Sequence, residues 1–147
     1  MTEDNVIVAV RDMEHVDDLV KLGCQMARGM RCHLIVLHVV EIPPALPLEA
    51  HDEVFDAPAR QILSRASRVA SETCGEKVST HVVRSRYAGE AIANEARNHS
   101  AQLVILGYRH KARFQEILLG STVQHLAENA PCRLIVSIIP APRADKA

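Results

Sequence analysis

The sequence predicts an α/β protein in which a parallel sheet carries helices on both faces. Three observations lead there. Short runs rich in β-branched residues, too short for stable helices, alternate with stretches whose apolar residues recur every three or four positions. The short runs are apolar almost throughout, as strands covered on both faces must be. The chain has 147 residues, 48% hydrophobic and 24% charged, which suits one well-buried core and falls short of two ordinary domains. A single domain over 1–147 is expected, with a frayed tail at 141–147.

Asn5 to Val10 (NVIVAV) reads as the first buried strand. Val16, Leu19, Val20, Gly23, Ala27 and Met30 then form one helical stripe, with Glu14, Asp17 and Asp18 near its start and Gly29 as the expected stop. Arg31 to Val40 gives a second strand. Residues 41–56 hold Pro43, Pro44 and Pro47 and five acids, and read as an acidic surface loop. A helical stripe resumes from Pro58, placed in the first turn, through Ile62, Ala66 and Val69, and Gly75 ends it. Lys77 to Ser85 alternates as a half-buried edge strand, Gly89 to Asn98 is a short helix, and Gln102 to Leu106 is another buried strand. After a loop from Gly107 to Gly120 come a helix to Ala130 and a final strand, CRLIVSII, between Pro131 and Pro140.

Composition removes several function classes. A formal net charge of -1 provides no global pull toward nucleic acid or acidic membranes, and 3% aromatics leave no base-stacking platform. No apolar run approaches the ~20 residues of a membrane span, so direct membrane insertion is not expected. The opening MTEDNVIVAV has no basic region of the secretory kind, and none of Cys24, Cys32, Cys74 and Cys132 forms a C-x-x-C pair. The expectation is a cytoplasmic protein with reduced, mostly buried thiols, Cys24 and Cys32 among them, and no zinc. His33 and His38 are five apart on one strand and face opposite sides, while His15, His51, His99 and His125 are scattered without ligand spacing. No metal site is expected. No G-x-S-x-G elbow and no Walker lysine is present, so no catalytic residue is assigned.

Open parallel sheets bind ligands beyond the carboxyl ends of their strands. Three such ends stand out: Val10-Arg11-Asp12, His38-Val39-Val40 and Gly107. The loop after Gly107 carries Arg109, Lys111 and Arg113. The next helix opens at Gly120-Ser121-Thr122, where Ser121 and Gln124 match a capping box. Hydroxyls, free helix amides and a cationic loop describe an anion site, most simply for phosphates.

These residues bring a resemblance. From VIVAV through LIVLHVV to QLVILGYRHKARFQEILLGSTVQHLAENAPCRLIVSI, the whole chain resembles the universal stress protein family. The specific part is the spacing G-x2-G-x9-G-[ST] of the family's nucleotide-binding branch, met here by Gly107, His110, Gly120 and Ser121. The resemblance implies a Rossmann-like five-stranded sheet in the order 3-2-1-4-5. It implies a non-enzymatic stress-response regulator that binds ATP or a related adenine nucleotide, with or without Mg, and signals through a protein partner. The nucleotide site would comprise Ala9, Val10, Arg11, Val39, Leu106, Gly107, Arg109, His110, Gly120, Ser121, Thr122 and Val123. Two departures set the chain between the ATP-binding and non-binding branches: His110 replaces the second motif glycine, and Arg11 stands where an Asp is expected. Arg11 either charges a phosphate subsite or fills the pocket. The alternative is a homodimeric interaction module that binds no ATP. The last strand, apolar and at an edge, is the expected dimer interface through Leu134, Ile135, Val136, Ser137 and Ile138.

Overall fold

The computed structural model describes residues 4–75, 77–109 and 120–139. Its elements run β1 (Asn5–Ala9), α1 (Val16–Met30), β2 (His33–Glu41), α2 (Glu53–Thr73), β3 (Val78–Ser85), α3 (Ala88–Asn98), β4 (Ala101–Arg109), α4 (Ser121–Asn129) and β5 (Arg133–Ile139), with a 3-10 turn at Met13–His15 before α1. All neighbouring strands are parallel, in the order β3-β2-β1-β4-β5. This is the expected sheet, with β3 and β5 at its edges.

The period of two along β1 divides the core. Val6 and Val8 point into a cluster with Leu19, Val20 and Ile62 on the α1–α2 face, while Ile7 joins Ile92, Val104 and Leu126 on the α3–α4 face. Val6, Ile7 and Val8 are all fully buried. Helices therefore cover both faces, and this explains why β1 shows no apolar–polar alternation.

Several boundaries differ from the sequence reading. Helix α1 passes through Gly29 and ends one residue later. Arg31 takes the left-handed conformation at φ 57°, and the Arg31 and Cys32 amides donate to the carbonyls of Arg28 and Ala27. That is the Schellman closure usually built on glycine, here carried by an arginine. Helix α2 begins at Glu53, not Pro58, because Asp52 caps it by accepting from the Val54 amide at 2.9 Å. Pro58 consequently lies inside the helix, where its missing donor leaves free a carbonyl of the exposed first turn.

The acidic loop is also more than a solvated surface. Arg84 of β3 donates to the Leu48 carbonyl, the Ala50 carbonyl and Asp56, and Arg86 donates to the carbonyls of Pro43 and Leu46. Ile42 is buried under it with Val40 and Ala59. Burial pushes the Asp56 carboxyl up, but hydrogen bonds from His51 and Arg84 outweigh it and hold the group below its ordinary value.

The expectation of four free thiols is corrected. Cys24 and Cys74 form a disulfide between Cα atoms 5.3 Å apart, and Cys32 and Cys132 are free. Helices α1 and α2 lie side by side, so Cys24 on the inner stripe of α1 meets Cys74 at the end of α2. Asp17 and Arg65 join the same two helices by a paired contact, Nε–Oδ1 2.8 Å and Nη2–Oδ2 2.6 Å, and the bond from Arg65 holds the Asp17 carboxyl below its ordinary range. Among the described residues, no helix is long and apolar enough to cross a membrane.

Candidate functional site

The order β3-β2-β1-β4-β5 makes β1 and β4 neighbours although they are far apart in sequence, and the chain changes its direction of winding between them. A crevice must open where the connections from these two strands diverge. Val10 is held at its floor: its amide donates to the Leu37 carbonyl at 2.9 Å, and its carbonyl accepts from Nδ1 of the buried His38 at 2.8 Å. A carbonyl only accepts, so this contact puts the proton on Nδ1. His38 thus serves to hold the backbone at Val10, and His33 makes a contact of its own, its Nε2 2.7 Å from the Ser79 hydroxyl.

The crevice is a cavity of about 390 Å³, within the usual range for small-molecule sites. Ala9, Val10 and Arg11 line it from the end of β1, Val39 from β2, and Leu106 and Gly107 from β4. Gly120, Ser121, Thr122 and Val123 close it from the start of α4. Ten of the twelve residues expected from the sequence are therefore wall residues. Arg109 is the last residue of β4, with its backbone placed, and His110 lies outside the described residues.

Four wall residues were missed: Glu41, Ala88, Ile92 and Tyr108. Glu41 is the most consequential, because it places a carboxylate in a cavity where Arg11 replaces the expected acid. Its only signal in the sequence was its position, as the first acid after the apolar run of β2. A shallower hollow of about 240 Å³, reaching His125 and Glu90, shares Glu41, Ala88, Ser121 and Thr122 with the main cavity.

The start of α4 differs from the capping box read in the sequence. Gly120 is the N-cap, Ser121 is the first helical residue, and no side chain caps the helix. The Gln124 amide is the first to bond within the turn, to the Gly120 carbonyl at 3.1 Å. The three amides before it, on Ser121, Thr122 and Val123, have no intrahelical acceptor and stand at the positive end of the helix dipole. Ser121 is thereby released from capping and is exposed at the cavity wall. Gly120 has an ordinary backbone (φ -72°, ψ 172°), and a Cβ there would meet nothing within 4 Å among the described residues. Gly107 is different: a Cβ there would come within 2.8 Å of Leu19 Cδ1, so this glycine also lets β4 pack against α1.

Fold and site together define an open α/β protein with a ligand-sized crevice at its switch point. The chain belongs to the universal stress protein family, whose sequence profile matches residues 3–137. A universal stress protein of Methanocaldococcus jannaschii is 25% identical over 122 residues, which span 79% of this chain and 71% of that protein. Among solved structures, a universal stress protein from Archaeoglobus fulgidus superposes with a TM-score of 0.74 at 19% identity, covering 92% of this chain and 94% of the other. The universal stress protein from Archaeoglobus fulgidus in complex with dAMP gives 0.70 at 20% identity, covering 92% and 98%. These likenesses establish the fold.

Proposed function

We propose that this protein is a nucleotide-responsive regulator that binds an adenine nucleotide, ATP or a relative of it, in the crevice between β1 and β4. The carrying observation is the meeting of three helix amides that have no intrahelical acceptor, the Ser121 and Thr122 side chains and an apolar slot in one cavity of about 390 Å³. The phosphates fit the start of α4. The base fits against Ala9, Val10 and Val39. The dAMP complex of the Archaeoglobus fulgidus protein, which shares this fold, supports an adenine nucleotide as the ligand class. Arg11 is an exposed wall residue and leaves the cavity open, which favours a charge-supplying role over a plug. Glu41 then supplies the carboxylate that accepts from the ribose hydroxyls. With Glu41, the one carboxylate among the described wall residues, given to the ribose, the reading is of a sensor that signals through a protein partner.

The test is equilibrium binding of AMP and ATP, each with and without Mg²⁺, together with mass spectrometry of nucleotide released on denaturing the purified protein. Ser121→Ala is expected to weaken binding about tenfold, the equivalent of one hydrogen bond to a charged group. Glu41→Gln is expected to weaken adenosine nucleotides more than inorganic pyrophosphate. No binding of either nucleotide at millimolar concentration would overturn the reading in favour of an interaction module without nucleotide.

We further propose that the protein is a homodimer paired through β5. This strand lies at the sheet edge, and Leu134, Ile135, Val136 and Ser137 are half-buried while Ile138 is 43% exposed. An apolar edge is stable in solution when another strand covers it. Ile138→Lys should therefore convert the dimer to a monomer in sedimentation equilibrium, with an unchanged circular dichroism spectrum. A wild-type protein that is monomeric at micromolar concentration would refute the pairing.

A further inference from the structure

The face of the sheet beneath α3 carries a cluster of side chains that nucleotide binding does not use. His81 comes from the edge strand β3, Glu95 from the third turn of α3, and His99 from the cap of the same helix. Glu95 and His99 are four apart and share a helix face, with His99 Nε2 3.0 Å from Glu95 Oε2. His81 Nδ1 approaches the same oxygen at 3.9 Å, and the two imidazoles meet edge-to-face with centroids 5.0 Å apart. One atom from each of the three residues lies within 4.8 Å of the others. The side chains are only 33%, 17% and 35% exposed. Among the described residues, no lysine or arginine pairs with Glu95.

We infer that His81, Glu95 and His99 form a site for a divalent transition-metal ion of the zinc type. Two neutral imidazoles and one carboxylate are a donor set that suits Zn²⁺ and its neighbours, whereas Mg²⁺ and Ca²⁺ favour all-oxygen shells. Around a tetrahedral ion with bonds of about 2.0–2.1 Å, adjacent donor atoms lie roughly 3.3 Å apart. The separations of 3.0 and 3.9 Å bracket that value, so small side-chain rotations close the site. The fourth position falls to water. The last turn of α3 is fixed in place, because Asn5 Nδ2 donates to the His99 carbonyl and so ties the ligand-bearing cap to β1. The ion would clamp α3 onto the edge strand. None of its three residues lines the nucleotide crevice, which α3 reaches through Ala88 and Ile92, so the site is tested separately from nucleotide binding.

The sequence concealed this site because it joins a helical pair to a histidine on a strand earlier in the chain. His81 and His99 are 18 positions apart, and only the packing of α3 against β3 brings them together.

The experiment titrates the full chain, disulfide intact, with Zn²⁺ against a chromophoric chelator, and records the visible spectrum with Co²⁺. One equivalent of Zn²⁺ should bind, undisturbed by millimolar Mg²⁺, and Co²⁺ should give tetrahedral bands without a thiolate charge-transfer band. His81→Ala, Glu95→Gln and His99→Ala should each weaken Zn²⁺ binding at least tenfold with near-normal far-UV circular dichroism. His15→Ala, at the Asp12–Glu14–His15 group, should leave it unchanged. If one variant fails to fold, the other two report on the site. The inference is overturned if the wild type takes up no Zn²⁺ in competition with the chelator or in excess free metal. It is also overturned if the bound equivalent survives His81→Ala and His99→Ala, or shows thiolate bands that place it on cysteine.

Discussion

Gly120→Val is expected to abolish nucleotide binding while leaving the fold intact. The two halves of that expectation rest on different observations. The fold should survive because φ -72° and ψ 172° are open to any residue, β-branched ones included, and because a Cβ at Gly120 meets nothing within 4 Å among the described residues. Binding should fail because that same empty space belongs to the cavity, immediately before the three amides that would receive a phosphate. A branched side chain there holds the phosphate away from the Ser121, Thr122 and Val123 amides together, whereas Ser121→Ala removes one hydroxyl. The loss should therefore exceed that of Ser121→Ala and reach about a hundredfold or more, or ~2.7 kcal/mol. Calorimetric titration with ATP and AMP, beside thermal unfolding of the free protein, checks both halves. Unchanged affinity would move the phosphates away from α4. By contrast, Gly107 is an unsuitable probe, since a Cβ there strikes Leu19 and would confound binding with packing.

The strands were legible in the sequence because burial on both faces leaves a strong mark: β1, β2 and β4 are short apolar runs, and nothing else in a chain of this size accounts for them. Their order was not legible from periodicity. It came from the resemblance, since no local pattern says that β4 lies beside β1. The crevice followed from the order, which is why ten of its wall residues could be named from strand ends and the glycine spacing. What escaped were contacts decided by packing. Glu41 enters the cavity because β2 runs one residue beyond its apolar stretch. Ser121 loses its capping role because Gly120 starts the helix one residue earlier than a capping box would require. Arg84 and Arg86 turn a proline-rich acidic segment into an ordered flap through backbone carbonyls, which leave no trace in composition. The absence of C-x-x-C spacing excluded one kind of cysteine chemistry. It had no bearing on a pair separated by 50 positions on adjoining helices.

Reduction of the Cys24–Cys74 disulfide should be the largest single loss of stability that leaves the nucleotide site untouched. The link closes a segment with a sequence separation of 50, containing β2 and all of α2. For a loop of that length the chain-entropy relation gives about 4 kcal/mol, and measured losses commonly fall at ~2–4 kcal/mol. For a domain of this size the corresponding fall in Tm is roughly 5–15 °C. The pairing should also be stable against internal exchange. Cys32 lines the same hollow as Cys24 and Cys74 and is the free thiol there, but burial first, and the nearby charge of Asp4 second, push its thiol pKa up. Little thiolate is then present at neutral pH to attack the bond. Thiol titration in denaturant without reductant should count two groups, Cys32 and Cys132, rising to four after reduction. Denaturant unfolding with and without dithiothreitol measures the energy. A Cys24→Ser, Cys74→Ser double variant should match the reduced wild type and show no further response to reductant. Four titrating thiols in the unreduced protein, or a transition midpoint indifferent to dithiothreitol, would show that α1 and α2 are held by Asp17–Arg65 and apolar packing alone.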